Sequence, residues 1–161
     1  MEVNKIISHA LQSMPPSKRQ KAFAKDTSKL IHMGLNENNY GMSPKAVAAL
    51  EDSMAGSHFY PDFAAVLLKQ KVAEQYGLKA ENVLTGAGSS AMIDMIGLTF
   101  LDDGDEVLFS APTYGAFADM AYLNGGVPVS VPVTEEQKFN LPAMKEKIGE
   151  KTKIRGDLQS E

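Results

Sequence analysis

The sequence contains no cysteine, which excludes disulfide bonds and thiolate metal sites. No stretch reaches the roughly 18 apolar residues that a membrane-spanning helix requires, and the N-terminus lacks the basic-then-apolar order of a signal peptide. We therefore expect a cytoplasmic protein with no membrane partner.

Basic charge is also scarce, since 16 lysine and arginine residues face 20 acidic ones and the formal net charge is -4. This balance gives no positive field for a phosphate backbone, so no nucleic-acid partner is expected. The three histidines, His9, His32 and His58, show no metal-ligand spacing, and we expect no metal site. The overall composition, with 43% hydrophobic and 22% charged residues, is typical of a globular protein.

The first half of the sequence predicts helices separated by loops. Apolar residues at helical spacing over Met1–Met14 predict an N-terminal arm, which the following Pro-Pro pair ends. Asn36–Gly41 is rich in turn formers and predicts an irregular loop. Two helices should follow, one capped by Ser43 and one over Phe63–Tyr76. Their expected buried stripes are Val47, Leu50 and Met54 in the first helix and Leu67, Leu68 and Val72 in the second.

The second half alternates strand and helix patterns. The predicted strands are Val83–Thr85, Glu106–Ser110, Val127–Val133 and the start of a fourth at Lys153 and Ile154. Helices should lie between them, over Ala91–Phe100, Gly115–Leu123 and Leu141–Ile148. Prolines in the third strand place it near a sheet edge or at irregular positions. This alternation predicts an α/β fold with a parallel sheet and right-handed crossovers.

A glycine-rich turn, Gly86–Ser90, joins the first of these strands to its helix. Such a turn directs backbone N–H groups and the positive end of a helix dipole at one point, which favours an anion such as phosphate. The hydroxyls of Ser89 and Ser90 can add donors. The turn is not a dinucleotide fingerprint, because Ala91 stands where a third glycine is required.

Tyr114 follows the next strand. The carboxyl ends of neighbouring parallel strands line the ligand crevice of an open sheet, so we expect Tyr114 beside the glycine-rich turn. An aromatic face there can stack on a planar heterocycle. The alternative is that Tyr114 packs on the helix that follows it.

Four segments in a fixed order give a stronger signal than any one motif. They read L-N-E-N-N-Y-G, F-Y-P-D, T-G-A-G-S-S and D-D-G-D-E-V-L-F-S-A-P-T-Y. Together they resemble the class I/II pyridoxal-phosphate aminotransferases, within the histidinol-phosphate aminotransferase-like branch, over most of Leu30–Ile154. The resemblance implies a partial three-layer α/β sandwich with a mostly parallel sheet, which is the incomplete large domain of a fold type I enzyme, plus the N-terminal arm. It implies the arm and part of a small domain over residues 1–40 and part of the cofactor-binding domain over 41–154.

The resemblance also implies a pyridoxal 5'-phosphate site. Gly88, Ser89 and Ser90 would hold the cofactor phosphate, and Tyr114 would stack on the pyridine ring. Family members often have Ala-Asp-Glu after the glycine, where this chain has Ser89-Ser90-Ala91. That departure leaves backbone contacts intact.

Three further residues acquire roles by resemblance. Tyr60 would reach the cofactor phosphate of the neighbouring subunit in a homodimer, while Asn36 and Tyr40 would face the amino-acid and 2-oxo-acid substrates. The alternatives are that Asn36 caps a turn and that Tyr60 fills a gap between helices.

No catalytic residue is predicted within this chain. The family's lysine, which binds the cofactor covalently, lies beyond the matched segment, and none of the lysines here stands at its motif. We therefore expect the chain alone to be inactive.

Residues 155–161 fit the family poorly. Arg155–Glu161 is polar and is not expected to continue a strand, whereas the family continues with a buried strand reading V-V-I-C-N-P-N-N-P. One choice of synonymous codons for Arg155–Glu161 encodes V-V-I-C-N-P-N-N when it is read one base later. Our hypothesis is that residues 155–161 are an aberrant tail produced by a frameshift.

Other functions compete with this interpretation. One is a noncatalytic α/β module that binds a phosphorylated ligand at Gly86–Ser90. Another is an interaction protein that pairs with a full-length aminotransferase through Met1–Met14 and Tyr60. A third is an adhesion motif at Arg155-Gly156-Asp157, although nothing else in the sequence suggests secretion.

Overall fold

The computed structural model describes residues 7–15, 31, 33 and 36–157. The helices are α1 His9–Ser13, α2 Pro44–Ser53, α3 Val66–Tyr76, α4 Gly88–Phe100, α5 Ala116–Leu123 and α6 Leu141–Lys147. Two 3₁₀ turns lie at Met54–Gly56 and Ala80–Asn82. The strands are β1 Glu106–Ala111, β2 Val127–Pro132 and β3 Thr152–Gly156. Of the predicted arm helix, residues 1–6 lie outside the described part.

The chain divides into two compact units. One comprises residues 1–16 and 84–161, and the other comprises residues 17–83. For brevity we call the described parts of these the sheet unit (7–15 and 84–157) and the helical unit (31, 33 and 36–83). The predicted division of the chain into residues 1–40, 41–154 and 155–161 stays a prediction.

A parallel three-stranded sheet organises the sheet unit. Its order is β2-β1-β3, with Leu108 opposite Val129 on one side of β1 and opposite Arg155 on the other. The central strand β1 is buried on both faces, as parallel strands covered by helices generally are. The proline-containing β2 lies at an edge of this sheet, which confirms the edge prediction.

The predicted strand Val83–Thr85 is wrong, because these residues form no strand in the structure. A strand needs a neighbour that satisfies its backbone, and no partner pairs with them within the described residues. The local pattern of Val83 and Leu84 alone could not supply that information.

Helices cover both faces of the sheet. On one face Val107 and Phe109 pack with Met120 and Ala121 of α5, and Ile93 of α4 joins this cluster. On the other face the buried residues are Leu108, Val131 and Met144, the last from α6. This arrangement confirms the partial three-layer α/β sandwich.

The two crossovers of the sheet share one hand. α5 connects β1 to β2 over one face, while α6 connects β2 to β3 over the opposite face and in the opposite direction. Reversing both the face and the direction preserves handedness, as is usual for parallel α/β folds.

The helical unit forms its helices through local signals. Ser43 caps α2 by accepting a hydrogen bond from the Ala46 N–H, and Gly77 ends α3 in the left-handed region. The second helix begins at Val66, three residues later than predicted, because Ala65 has a φ of 48° and the Asp62 carboxylate accepts from the Val66 N–H.

The predicted buried stripes of this unit are largely wrong. The exposed side chains include Val47, Leu50, Met54, Leu67 and Leu68. Val72 is half-buried, and Ala73 is the buried residue of α3. Helical periodicity shows which residues share a face, but it does not show what covers that face.

The end of the described chain also differs from expectation. β3 includes Arg155 and Gly156, two residues beyond Ile154. Parallel pairing uses the backbone and so tolerates a polar side chain, and Gly156 is buried under the Phe117 ring, which a Cβ would meet at 2.7 Å. Arg155 and Asp157 form an ion pair of 2.7 Å, and Arg155 and Gly156 belong to a strand rather than to a loop of the kind that presents an adhesion motif. Leu158–Glu161 lies outside the described residues.

Candidate functional site

The N-terminus of α4 forms the first part of the site. This 13-residue helix begins at Gly88, three residues earlier than predicted, so Ser89 and Ser90 belong to its first turn. The first backbone N–H groups of a helix have no acceptor within it. The N-cap residue Ala87 makes no side-chain capping hydrogen bond to these groups, and the Gly88 N–H donates to the Gly86 carbonyl at 2.9 Å.

Two glycines shape the turn for different reasons. Gly88 has a φ of +80°, a conformation that L side chains rarely adopt, while the space beside it is open. At Gly86 a Cβ would lie 2.8 Å from the Met92 sulfur, so a larger residue there would have to displace this side chain. The chain therefore enters α4 through a left-handed glycine, and the space beside Gly88 is open.

Tyr114 lies beside this turn. Its hydroxyl is 2.8 Å from the Ser90 Oγ, although the two residues are 24 positions apart in the sequence. The expectation that Tyr114 stands next to the glycine-rich turn is confirmed. The hydrogen bond itself is not predictable from the sequence, because no local pattern reveals a bond across such a separation.

The fixed positions of Ser90 and Tyr114 come from the packing behind them. Tyr114 lies in the short connection between β1 and α5, and β1 and α5 share one buried cluster. α4 contributes Ile93 to the same cluster. The hydrogen bond thus joins two segments that the core already holds.

The other predicted site residues lie in the helical unit. Asn36 has a φ of 54° and is exposed, and Tyr40 is fully exposed. Asn38 makes the hydrogen bonds of this turn, accepting from the Tyr40 N–H and donating to the Gly41 carbonyl. The substrate-facing roles of Asn36 and Tyr40 stay predictions.

Tyr60 also belongs to the helical unit. Its side chain is 89% exposed, and its ring centroid lies 5.8 Å from that of Phe63. Filling a gap between helices, the structural alternative for Tyr60, is therefore not what is observed. Its role in a homodimer stays a prediction.

Neither metal ligation nor membrane insertion has support in the described residues. No group of three or more His, Asp or Glu residues there is arranged to hold a metal ion. In the same part of the chain, every helix is too short or too polar to cross a bilayer.

The donor set that remains fits a phosphate ester with an attached ring. Uncapped amides and serine hydroxyls are strong donors to phosphate oxygens, and a helix N-terminus favours negative charge. The phenol of Tyr114 lies next to these hydrogen-bond donors. Its ring can therefore stack on an aromatic ring that the phosphate ester carries.

Comparisons with known proteins agree on one family. Residues 28–155 match the family described as Aminotransferase class I and II. A histidinol-phosphate aminotransferase of an Anaeromyxobacter species is 35% identical over 127 residues, which are 79% of this chain and 35% of that protein. An aromatic amino acid aminotransferase of Corynebacterium glutamicum is 34% identical over 119 residues, which are 74% of this chain and 35% of that protein.

A solved structure shows the same fold. The histidinol-phosphate aminotransferase of Sinorhizobium meliloti, solved in complex with pyridoxal-5'-phosphate, superposes with a TM-score of 0.74 at 23% identity, covering 91% of this chain and 40% of that one. The chain spans about a third of the length of the two curated relatives above. Because the family match extends over residues 28–155, well over half of the sequence, the chain belongs to the class I and II aminotransferase family.

Proposed function

We propose that this chain forms part of a pyridoxal-phosphate-dependent aminotransferase, which transfers an amino group from an amino acid to a 2-oxo acid. The observation that carries this proposal is the uncapped N-terminus of α4 with Tyr114 hydrogen-bonded beside it. The family match and the solved relative with pyridoxal-5'-phosphate support the identity of the cofactor.

Each residue of the site has a specific task in this proposal. The backbone N–H groups of Ser89 and Ser90 and the Ser89 hydroxyl bind the cofactor phosphate, at the turn that Gly88 shapes. The Tyr114 ring stacks on the pyridine and limits its rotation about the phosphate. When bound, the cofactor supplies the electron sink that amino-group transfer requires.

The proposed substrates follow from the relatives and from the helical unit. Relatives named for histidinol phosphate and for aromatic amino acids match this chain at similar identity. We place the chain in the histidinol-phosphate aminotransferase-like branch of amino-acid biosynthesis, with Asn36 and Tyr40 toward the substrate. In the intact enzyme, a homodimer, the exposed Tyr60 reaches the cofactor phosphate of the neighbouring subunit.

The 161 residues by themselves are proposed to be inactive. Covalent binding of the cofactor requires a lysine at a defined motif, and none of the lysines in this sequence stands at one. Incubation with pyridoxal 5'-phosphate, an amino acid and a 2-oxo acid should therefore give no 2-oxo acid product above the protein-free control.

Binding of two matched ligands tests the site itself. Pyridoxine 5'-phosphate and pyridoxine share a ring but differ in the phosphate, and neither has an aldehyde that reacts with surface lysines. Isothermal titration should show at least about tenfold tighter binding of the phosphorylated ligand, because a phosphate at a helix N-terminus gains charge-assisted hydrogen bonds. Equal affinities would contradict the proposal.

A noncatalytic phosphate-binding module is the second candidate, because the same donors would serve any phosphate ester. Its signature is equal affinity for pyridoxine 5'-phosphate and for an acyclic ligand such as glycerol phosphate. The aminotransferase proposal requires the ring-bearing ligand to bind more tightly.

A further inference from the structure

The hydroxyl of Ser90 already has a partner. It lies 2.8 Å from the Tyr114 hydroxyl, a distance typical of a strong hydrogen bond between hydroxyl groups. Family resemblance alone assigns Ser90 to the cofactor phosphate. The observed contact directs the Ser90 side chain toward the Tyr114 ring, which lies beside the proposed phosphate-binding N–H groups.

Ser89 and Ser90 differ in direction although they are consecutive. Successive residues of an α-helix are rotated by about 100°, so the two hydroxyls of the first turn leave the helix on different sides. Ser90 is on the side of Tyr114. The two serines therefore need not serve the same part of a ligand.

The Tyr114 ring gains orientation from this contact. A tyrosine that is anchored only through its backbone retains rotation about its side-chain bonds, and holding a ring in one rotamer before binding lowers the entropy that binding must remove. Tyr114 is half-buried and sits in a short connection, so a hydrogen bond to its hydroxyl fixes the far end of the side chain.

We infer that Ser90 is a positioning residue, an inference that rests on the proposed function. Its hydroxyl holds the phenol of Tyr114 in place for stacking, so it contributes to binding of the cofactor ring rather than of the phosphate. The phosphate is held by the α4 backbone N–H groups and by Ser89.

Two probes separate the ring from the phosphate. Pyridoxine 5'-phosphate carries both groups, whereas inorganic phosphate carries only the anion. The substitution Ser90→Ala should lower the affinity for pyridoxine 5'-phosphate about fivefold, which is the order expected for one lost hydrogen bond. The same substitution should change the affinity for inorganic phosphate less than about twofold. Ser89→Ala is the matched control and should weaken both probes by the same factor.

Variants of Tyr114 and a conservative variant of Ser90 complete the test. Tyr114→Phe keeps the ring but loses the hydroxyl, so it should reproduce the Ser90→Ala pattern, and the double variant should bind no more weakly than either single one. Ser90→Thr retains a hydroxyl and should restore most of the affinity. A merely structural defect would weaken both probes and would not be rescued.

Each other outcome is decisive. If Ser90→Ala weakens inorganic phosphate as much as pyridoxine 5'-phosphate, Ser90 is a phosphate ligand and the inference is overturned. Additive losses in the double variant also overturn it. If the wild-type chain binds neither probe, the proposed function fails and the role of Ser90 fails with it.

Discussion

The sheet unit and the helical unit are built from similar residues but bury them differently. In the sheet unit Val107, Leu108 and Ala121 are completely buried, at 0% exposure. Among the described residues of the helical unit, Ala73 and Val83 are the buried ones. The large apolar side chains there that remain more than half exposed include Leu50, Met54, Phe59, Tyr60, Phe63, Leu67 and Tyr76.

This difference shows what each kind of signal can accomplish. Caps and helix-stop residues are enough to define the ends of α2 and α3. Burial requires a second surface, which β1 receives from α5 on one face and α6 on the other. Most helical stability in proteins comes from packing of an apolar face, so the helical unit should be the weaker of the two.

Matched leucine truncations should show the largest difference in stability effect between the two units. Leu108→Ala removes a fully buried side chain and should lower the free energy of unfolding by about 2–5 kcal/mol. Leu67→Ala removes a side chain that is 77% exposed and should change it by less than about 0.5 kcal/mol. Urea unfolding followed by circular dichroism measures both, and equal losses would contradict the assignment of the core.

Matched glycine substitutions should give a smaller effect with the same contrast. In Gly97→Ala the new Cβ would lie 2.5 Å from side-chain atoms of both Met120 and Asn124, so these side chains or the helices α4 and α5 must shift, at a cost of about 1–3 kcal/mol. In Gly56→Ala the Cβ meets no atom within 4 Å. Thermal unfolding should show a lowered midpoint for the first variant and none for the second; a midpoint unchanged by Gly97→Ala would contradict close packing of these helices.

A local carboxylate in the sheet unit should give the smallest effect. A hydrogen bond from the Thr134 side chain is the main cause that lowers the pKa of Glu136, followed by a backbone hydrogen bond. Thr134→Val should therefore raise this pKa, as measured by NMR titration of the carboxyl carbon. Thr99→Val is the control, because the Thr99 hydroxyl donates to the Met95 carbonyl instead.

The sign of the pH dependence follows from the lowered pKa. Any stabilisation by this turn is fully present above the pKa of Glu136 in the unfolded chain and is lost as the pH falls through the lower folded pKa. Thr134→Val should reduce the difference between the pKa of Glu136 in the unfolded chain and its pKa in the folded chain. An unchanged pKa of Glu136 in this variant would contradict the hydrogen bond as its cause.

Much of the sheet unit could be predicted from the sequence. The strands β1 and β2, the parallel order with β2 at an edge, and the position of Tyr114 beside the turn all follow from alternation, proline placement and the geometry of open sheets. These features depend on neighbours close in sequence or on a general rule of topology.

The rest depends on contacts that no local pattern encodes. Nothing in Val83–Thr85 reveals whether a neighbouring strand pairs with it, and nothing in Leu67 reveals that its face is uncovered. The Ser90–Tyr114 hydrogen bond likewise joins residues that the fold brings together. The candidate site was thus predictable in its location but not in its internal contacts.

The proposed function depends on a phosphate site at the N-terminus of α4, in the sheet unit. The most direct measurement is an NMR titration of the isotope-labelled chain with pyridoxine 5'-phosphate, following every backbone amide. We expect the largest shifts at Gly88, Ser89, Ser90 and Tyr114, and these shifts should saturate together. Saturable shifts confined to the helical unit, or the absence of saturable shifts at Gly88–Ser90, would contradict the proposed site.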